Sequence, residues 1–432
     1  MKSNIIDIIG VGFNVSNIGL AISLQENNSP LSMLFLESKA NSKWQEEMTI
    51  PGSDIQNAPH RDLITPVNPR SRYTFINYLF EHGRLFSHFN LGMKFPFRTE
   101  YSKYIEWCSK FFEDNVKYNE AVVSIEYTGD FENEEPIFKV TTSTGDTYLC
   151  KKVVLGHGRS INIPEEFSGI SNGRATHLTN YRSYISNIKN GDEDTFCVVG
   201  SSQSAIEIVL DLKSRFPNAK ITNLIRSFSY KLKDTSPFSY EVFYPEFIDH
   251  FYSASDSQKE KLTSHLRNSN YSSVDQDVLD GLYQSLYEDK ILERERVFIR
   301  NNSKINNVVE NDDSIEISYT NELLNESSSE SFDHVILATG FKDLGHGDRY
   351  DTYCPLLYNV KGYINESEQG LLQINRDYSL NFVPPGTNKT YKSFYLNGLC
   401  ESTHGLGDAG SISSVSIRSK VICDSLINSH EV

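Results

Sequence analysis

Gly10-Val11-Gly12 follows a short apolar run, Ile5-Ile6-Asp7-Ile8-Ile9, and leads through Phe13-Asn14-Val15-Ser16-Asn17 into Ile18-Gly19-Leu20-Ala21-Ile22-Ser23-Leu24, where apolar residues recur at helical spacing. A strand that turns on glycine into a helix opens a dinucleotide-binding βαβ unit. Gly10 permits the tight turn and Gly12 lets backbone approach a pyrophosphate, which then rests on the positive end of the helix. Val15 stands at the third position of G-x-G-x-x-G, so the fingerprint is imperfect. The same strand-turn-helix signal returns at Thr195-Phe196-Cys197-Val198-Val199-Gly200-Ser201-Ser202-Gln203-Ser204-Ala205, where Ser202 and Ala205 replace two glycines with small residues.

Each turn is followed by a strand with a charged end. Met33-Leu34-Phe35-Leu36-Glu37 places an acid 25 residues past Gly12, near where a ribose-binding carboxylate belongs. An ordinary strand-end acid is the plainer reading. Ile221-Thr222-Asn223-Leu224-Ile225-Arg226 ends on a cation, which suits a 2′-phosphate and hence NADP, or is simply a solvated arginine. Two nucleotide units in one chain, the second inserted into the first, describe a flavoprotein with FAD at the first turn and NADPH at the second.

The elements that position these turns can be read coarsely. Residues 41–72 lack periodicity; a long irregular stretch rich in aromatic and apolar residues is functional more often than disordered. Residues 73–83 read as a helix closed by Gly83, and Tyr101–Phe112 as a second. Residues 116–155 alternate like a β-meander. Residues 231–300 are largely helical, Asn325–Ser331 reads as a polar surface loop, Phe332–Phe341 as a strand ending in an A-T-G turn, and Ser414–Asn428 as a closing helix. The expected architecture is α/β, with two Rossmann-like dinucleotide-binding domains, the NADPH domain inserted into the FAD domain, and a small substrate-binding region. Its spans are residues 1–188 for the first part of the FAD domain, 189–330 for the NADPH domain, and 331–432 for the second part with a substrate-lining segment.

Composition narrows the class. At 432 residues the chain exceeds one small core, and a formal net charge of -16 argues against nucleic acid or an anionic membrane as partner. No apolar run nears the roughly 20 residues needed to span a bilayer, and the N-terminal stretch lacks a signal-peptide layout. Cys108, Cys150, Cys197, Cys354, Cys400 and Cys423 are scattered without C-x-x-C or zinc spacing, which reads as reduced thiols in a cytoplasmic protein with no metal site.

Further along, the chain carries Trp44 with Met48, Pro51-Gly52 and Gln56, Asp62-Leu63, Pro69-Arg70-Ser71 running to Asn77-Tyr78-Leu79, and Glu100-Tyr101 with Tyr104. It continues with Gln203-Ser204-Ala205, Ser236-Pro237-Phe238, Asn270-Tyr271-Ser272, Ala338-Thr339-Gly340-Phe341 and His404-Gly405-Leu406. Together with Gly10-Val11-Gly12-Phe13 and Ser16-Asn17, these resemble the flavin-dependent N-hydroxylating monooxygenases of siderophore biosynthesis, typified by L-ornithine N5- and L-lysine N6-monooxygenases, over nearly the whole chain.

The resemblance implies that NADPH reduces FAD, that O2 adds to the reduced flavin as a C4a-hydroperoxide, and that a substrate amine takes the distal oxygen to become a hydroxylamine. It implies no metal and no protein nucleophile, and it implies a homo-oligomer, a tetramer or a dimer. By the same resemblance Gly10, Gly12, Ser16, Asn17, Glu37, Thr339 and Gly340 belong to FAD. Gln56, Met48 and Trp44 lie near the isoalloxazine, although core packing is the plain alternative for Trp44 and Met48. Gly200, Ser202, Gln203, Ser204 and Arg226 meet NADPH. Asn270 and Ser413 meet the substrate, and Gln56 and Asn270 are the residues closest to the chemistry.

Four departures fall on or beside the substrate end. Arg61 stands where the family commonly has a lysine that pairs with the substrate α-carboxylate; it keeps the charge but presents a planar fork. Tyr240 replaces an asparagine that usually contacts the substrate. Gln45, Glu46 and Glu47 replace His-Ser-Gly, and the segment from His404 to Arg418 is one residue longer than in the family. Ornithine or lysine is the substrate the resemblance implies. Oxygenation of another amine, such as the α-amine of aspartate, and an uncoupled NADPH oxidase are the alternatives.

Overall fold

The computed structural model describes residues 5–189 and 191–429, so the outermost ends of the expected spans, 1–4 and 430–432, and residue 190 lie outside it. The chain opens as the glycine spacing requires: β1 (Ile6–Val11), a turn, α1 (Val15–Glu26), then β2 (Met33–Glu37). β2 lies parallel to β1, with Gly10 opposite Phe35 and Val11 opposite Leu36. A Cβ on Gly10 would stand 2.2 Å from the Phe35 ring, so only glycine fits there. Irregular chain leads to α2 (Phe75–Glu81), α3 (Leu85–Leu91) and α4 (Arg98–Ser109). The buried Asp62 carboxylate organises this stretch by accepting the backbone N–H groups of Ile64, Thr65 and Phe75.

β3 (Val116–Tyr118) then joins the edge of β2 in parallel, while β4 (Val122–Glu132), β5 (Glu135–Thr142) and β6 (Thr147–Leu155) form an antiparallel meander. Three of the four strands in the expected meander therefore belong to it. β3 does not, because its backbone completes the edge that β2 leaves open. β6 returns parallel to β1.

The chain crosses to a second sheet through β7 (Ser160–Ile161), β8 (Ala175–His177) and α5 (Tyr181–Ser186). There β9 (Thr195–Val199), α6 (Gln203–Arg215) and β10 (Lys220–Leu224) repeat the opening motif. Three helices follow, α7 (Pro245–Ser253), α8 (Asp256–Leu266) and α9 (Gln276–Ile291), and then β11 (Val297–Arg300). β12 (Ser303–Glu310), β13 (Ile315–Asn321) and β14 (Glu326–Phe332) make a separate antiparallel sheet. The expected polar loop at 325–331 is thus mostly strand β14. Its serines and Glu326 face solvent along an edge strand, while Glu330 turns inward to Arg300 and Tyr319, so no apolar alternation marks it, and its backbone pairs with β13 from Ile315–Phe332 to Asn321–Glu326.

β15 (His334–Leu337) pairs with both β9 and β8, giving a five-stranded parallel sheet in the order β11-β10-β9-β15-β8. This sheet draws β8 and β15 from the flanks of the expected span 189–330. β16 (Phe341–Leu344) and β17 (Tyr350–Asp351) lead back. β18 (Ser379–Phe382) and β19 (Tyr391–Leu396) complete the first sheet in the order β18-β19-β6-β1-β2-β3, before α10 (Glu401–His404) and α11 (Val415–Asn428). The fold is α/β with two Rossmann-type sheets, as the two turns imply.

α1 is buried along most of its circumference, with Ile18, Leu20, Ala21 and Ile22 at 0% exposure, between the first sheet and α11. Burying each large aliphatic side chain contributes about 1.5–3 kcal/mol. That burial fixes the turn before the helix as a rigid edge. All six cysteines are buried and free. Among the described residues no helix is long and apolar enough to cross a membrane, and no His/Cys/Asp/Glu group has the form of a metal site.

Candidate active site

The first glycine turn borders a cavity of about 380 Å³, lined by Gly12, Asn14, Glu37, Lys39, Trp44 and His157 among others. Gly12 has φ +80, and a Cβ there would stand 3.0 Å from the Gly156 carbonyl, so glycine alone lets these loops close around the cleft. Asn14 caps α1 by accepting the Ser16 N–H at 3.0 Å. The Glu37 carboxylate accepts the Phe13 N–H at 2.6 Å and the Lys39 N–H at 2.9 Å and sits in the cavity wall, in position for a ribose hydroxyl. Turn, helix end and acid fit a dinucleotide.

Ser16 and Asn17 bond protein groups with their side chains. Both lie on the buried side of α1. Asn17 donates to the carbonyls of Val11 and Gly12 at 3.1 and 2.7 Å and accepts from Asn397 at 2.9 Å, and Ser16 accepts from Arg418 at 3.0 Å. They brace the turn from behind. Thr339 and Gly340 also spend polar atoms internally: the Thr339 hydroxyl donates to the Asn162 carbonyl, and the Gly340 carbonyl accepts from His177 at 3.0 Å. Trp44 does line the first cavity, half-buried and edge-on to Tyr101 at 5.8 Å. Met48 packs with Ile50, Leu178 and Tyr181 in the core beside the second sheet.

At the second turn Gly200 has φ +139, and a Cβ would fall 2.5 Å from the Ala338 carbonyl. Ser202 caps α6 without using its side chain on the helix, Ser204 is half-buried, and Arg226 is exposed just past β10. Small residues, a helix end and an exposed cation fit a phosphorylated dinucleotide. Gln203 is different. It is 5% exposed, donates to Glu207 at 3.1 Å and accepts the Asp275 N–H at 3.0 Å. Its amide is turned into the protein.

Gln56 sits in the left-handed region, φ +53. Its N–H donates to Asp54 at 2.8 Å, its side chain to Asp275 at 2.7 Å, and its carbonyl accepts from Lys233 at 3.3 Å. Nearby, Arg98 donates to Glu207 at 2.9 and 3.2 Å and to the Met48 carbonyl at 2.6 Å, in a pair whose side chains are 6% and 5% exposed. Lys233 is held below the usual lysine range by burial, against the pull of Asp275 and Asp54. Burial pushes the Asp54 carboxyl up to about 6, with Asp275, Glu207 and Asp277 adding repulsion. Because the folded value lies above the unfolded one, Asp54 favours folding most at low pH, and that contribution is lost as pH rises from about 4 through 6. Asp54→Asn keeps an acceptor for the Gln56 N–H and removes the charge. The variant is expected to gain Tm relative to the parent at pH 8 and to match it at pH 4, measured by thermal melts across that range.

The substrate-end residues do come together. The Arg61 guanidinium lies 5.2 Å from the Tyr240 ring centroid and 5.5 Å from that of Phe243, and among the described residues it has no carboxylate partner. Two aromatic faces hold the fork flat. The Tyr240 hydroxyl is buried without a hydrogen-bond partner, and burial pushes the phenol up to about 12, so it stays a neutral donor. Asn57 donates to the Arg61 carbonyl at 2.8 Å and accepts from Ser413 at 2.6 Å. Asn270 donates to the Leu406 carbonyl at 2.6 Å, one residue before Gly407, whose backbone packs on Phe243. Arg61, Tyr240, Asn270 and Ser413 thus meet around the 405–413 segment. Glu46 and Glu47 turn elsewhere: Glu46 pairs with Lys43 at 2.9 Å, and Glu47 accepts from the Ser183 N–H and hydroxyl at 2.8 and 2.6 Å.

Sequence reasoning missed Asp54, Asn57, Arg98, Glu207, Lys233 and Asp275. It also missed the buried cluster beside Asn270, where Tyr271 donates to Glu401 at 2.6 Å and Arg159 lies 3.2 Å from Tyr271 and 3.4 Å from Asp343. Desolvation pushes both of those carboxyls above the usual range. No local signal marks these residues, since their partners come from distant segments.

Residues 4–343 match the family model described as L-lysine 6-monooxygenase/L-ornithine 5-monooxygenase. An L-ornithine N(5)-monooxygenase of Pseudomonas aeruginosa is 31% identical over 430 residues, covering 97% of this chain and 93% of that protein. The ornithine N-hydroxylase KtzI of Kutzneria sp. 744, solved with reduced FAD, NADP+ and L-ornithine, superposes with a TM-score of 0.89 at 27% identity, covering 99% of this chain and 100% of that one. The L-lysine 6-monooxygenase of Pseudomonas syringae superposes with a TM-score of 0.84 at 28% identity, covering 98% and 99%. With matched turns, matched architecture and near-complete coverage, the chain belongs to the L-lysine 6-monooxygenase/L-ornithine 5-monooxygenase family of flavin-dependent N-hydroxylating enzymes.

Proposed function

We propose that this chain uses NADPH and O2, with FAD as its resident cofactor, to hydroxylate the side-chain primary amine of an amino acid, ornithine or lysine, in siderophore or related natural-product biosynthesis. Substrate amine, O2, NADPH and a proton give hydroxylamine, NADP+ and water. FAD supplies the hydride acceptance and oxygen activation when bound. Gly10, Gly12 and Glu37 would hold it in the first cleft; Gly200, Ser202, Ser204 and Arg226 would hold NADPH in the second. The observation that supports the reading is the Arg61 fork held between Tyr240 and Phe243, without a carboxylate partner among the described residues and joined through Asn57 to Ser413.

Arg61 takes the substrate carboxylate in this scheme, a charge-assisted, two-pronged contact. The unused Tyr240 hydroxyl donates to the same end. Asn270 and Ser413 orient the chain that carries the amine. That amine must present a free lone pair, yet its ammonium form has a pKa of about 10.4 in water. Burial of the amine end would disfavour the cation, and the side-chain oxygens of Asn270 and Ser413 would accept the remaining N–H bonds.

The reading is tested by presenting ornithine, lysine, aspartate and putrescine to the FAD-loaded enzyme and scoring hydroxylamine. Product from ornithine or lysine, with little from putrescine, is expected. Product from aspartate alone would move the reaction to an α-amine, and NADPH consumption without any hydroxylamine would make the protein an oxidase.

A further inference from the structure

Asp275 occupies the N-cap of α9, where an aspartate side chain ordinarily accepts a backbone N–H from the helix and stabilises it. Here it makes no such bond. The carboxylate is spent instead on the Gln56 side chain at 2.7 Å, 219 residues away. The Asp275 backbone N–H points the other way and donates to the Gln203 side chain at 3.0 Å. Gln203 is the first residue of α6, directly after the second glycine turn, and its own N–H donates to the Ser273 carbonyl at 3.1 Å.

Gln203 and Gln56 are therefore joined through one residue. The chain of contacts continues at both ends. Gln203 donates to Glu207, which holds Arg98, which holds the Met48 carbonyl. Gln56 keeps a left-handed backbone that is costly for a non-glycine residue, sustained by Asp54, Lys233 and Asp275 from three separate segments. A strained residue clamped by a cap that has abandoned its own helix is a built feature, since α9 forgoes stabilisation to supply it.

We infer that Asp275 is a positioning residue that couples the two nucleotide clefts, transmitting occupancy of the Gly200 turn through Gln203 to Gln56. The inference rests on the proposed function, with NADPH on the Gly200 turn, and on the family resemblance that sets Gln56 near the isoalloxazine. A dinucleotide seated on the Gly200 turn fixes the start of α6 and with it Gln203. Gln203 sets the Asp275 backbone, and the Asp275 carboxylate sets the Gln56 amide beside the flavin. Coupling of this kind is reciprocal: if NADP+ affects the environment of the flavin, the redox state of the flavin affects the affinity for NADP+ by the same factor in each direction, typically about 5- to 150-fold.

The test uses the FAD-loaded enzyme and measures the Kd of NADP+ with the flavin oxidised and with it reduced, together with the flavin absorption change on NADP+ binding. The parent enzyme is expected to show a Kd ratio of about 5-fold or more and a clear absorption change. Asp275→Ala is expected to bring the ratio close to unity and to abolish the absorption change, while Asp275→Asn, which keeps an acceptor for Gln56, restores most of both. Should Asp275→Ala fail to hold FAD, Gln203→Leu severs the far end of the same path and must produce the same collapse. An Asp275→Ala or Gln203→Leu enzyme that keeps the parental ratio and spectrum overturns the inference, as does a parent that binds both nucleotides with no coupling. A parent that binds neither nucleotide overturns the functional reading itself, a distinct outcome.

Discussion

Replacing Arg61 with alanine is expected to raise the KM for the amino-acid substrate about 10- to 150-fold, the equivalent of about 1.5–3 kcal/mol for a hydrogen bond to a charged group. The guanidinium is held between the rings of Tyr240 and Phe243 and has no protein carboxylate to fall back on among the described residues. Its loss therefore removes a contact that only a ligand can complete. Arg61→Lys keeps the charge but not the fork, and a KM between the two is expected. The decisive arm removes the partner from the other side. A diamine without a carboxylate should be a poor substrate for the parent, and the penalty for omitting the carboxylate should shrink in Arg61→Ala, because the two deletions remove one interaction and cannot add. Steady-state kinetics with ornithine, lysine and putrescine on both enzymes measure this. An unchanged KM in Arg61→Ala would remove the carboxylate from this position.

Arg98→Met carries the largest expected loss of stability. Arg98 and Glu207 form an ion pair almost sealed from solvent, at 2.9 Å, and it joins α4 to α6. Breaking such a pair from one side leaves a buried charge uncompensated and costs about 3–5 kcal/mol. The Met48 carbonyl also loses its donor. The urea midpoint should fall markedly in Arg98→Met. It should recover much of the way in a double variant that also replaces Glu207 with glutamine, since the stranded charge is then gone. A single variant as stable as the parent would show that the pair adds nothing to the join between the two sheets.

These two sites show why some of the molecule is readable and some is not. β1, the Gly10-Val11-Gly12 turn, α1 and β2 follow from local spacing, because a turn that needs glycine and a helix that needs burial announce themselves within about 30 residues. The repeat at β9, Gly200 and α6 is legible for the same reason. Side-chain direction is not local. Asn17 and Gln203 stand beside the turns and read as cofactor contacts, yet both amides point inward, because each falls on the buried face of its helix. β14 escaped notice since an edge strand whose inward position at Glu330 is polar carries no apolar alternation, and only its pairing with β13 makes it a strand. The 41–72 stretch has no period because its conformation is imposed from elsewhere: Gln56 by Asp275 and Lys233, and Arg61 by Tyr240 and Phe243. Arg61, Tyr240, Asn270 and Ser413 enter as candidates through the family resemblance, which carries position from related chains. The residues that hold them in place, such as Asn57, became visible only in three dimensions.

The central claim is that the site delivers oxygen to an amine on a carboxylate-bearing substrate rather than spending NADPH alone. The measurement that reaches it most directly is the ratio of hydroxylamine formed to NADPH oxidised, taken on the FAD-loaded enzyme with saturating ornithine or lysine. The account predicts that most of the NADPH oxidised is recovered as hydroxylamine. Recovery of the electrons as hydrogen peroxide, with no hydroxylamine from either amino acid, would contradict it.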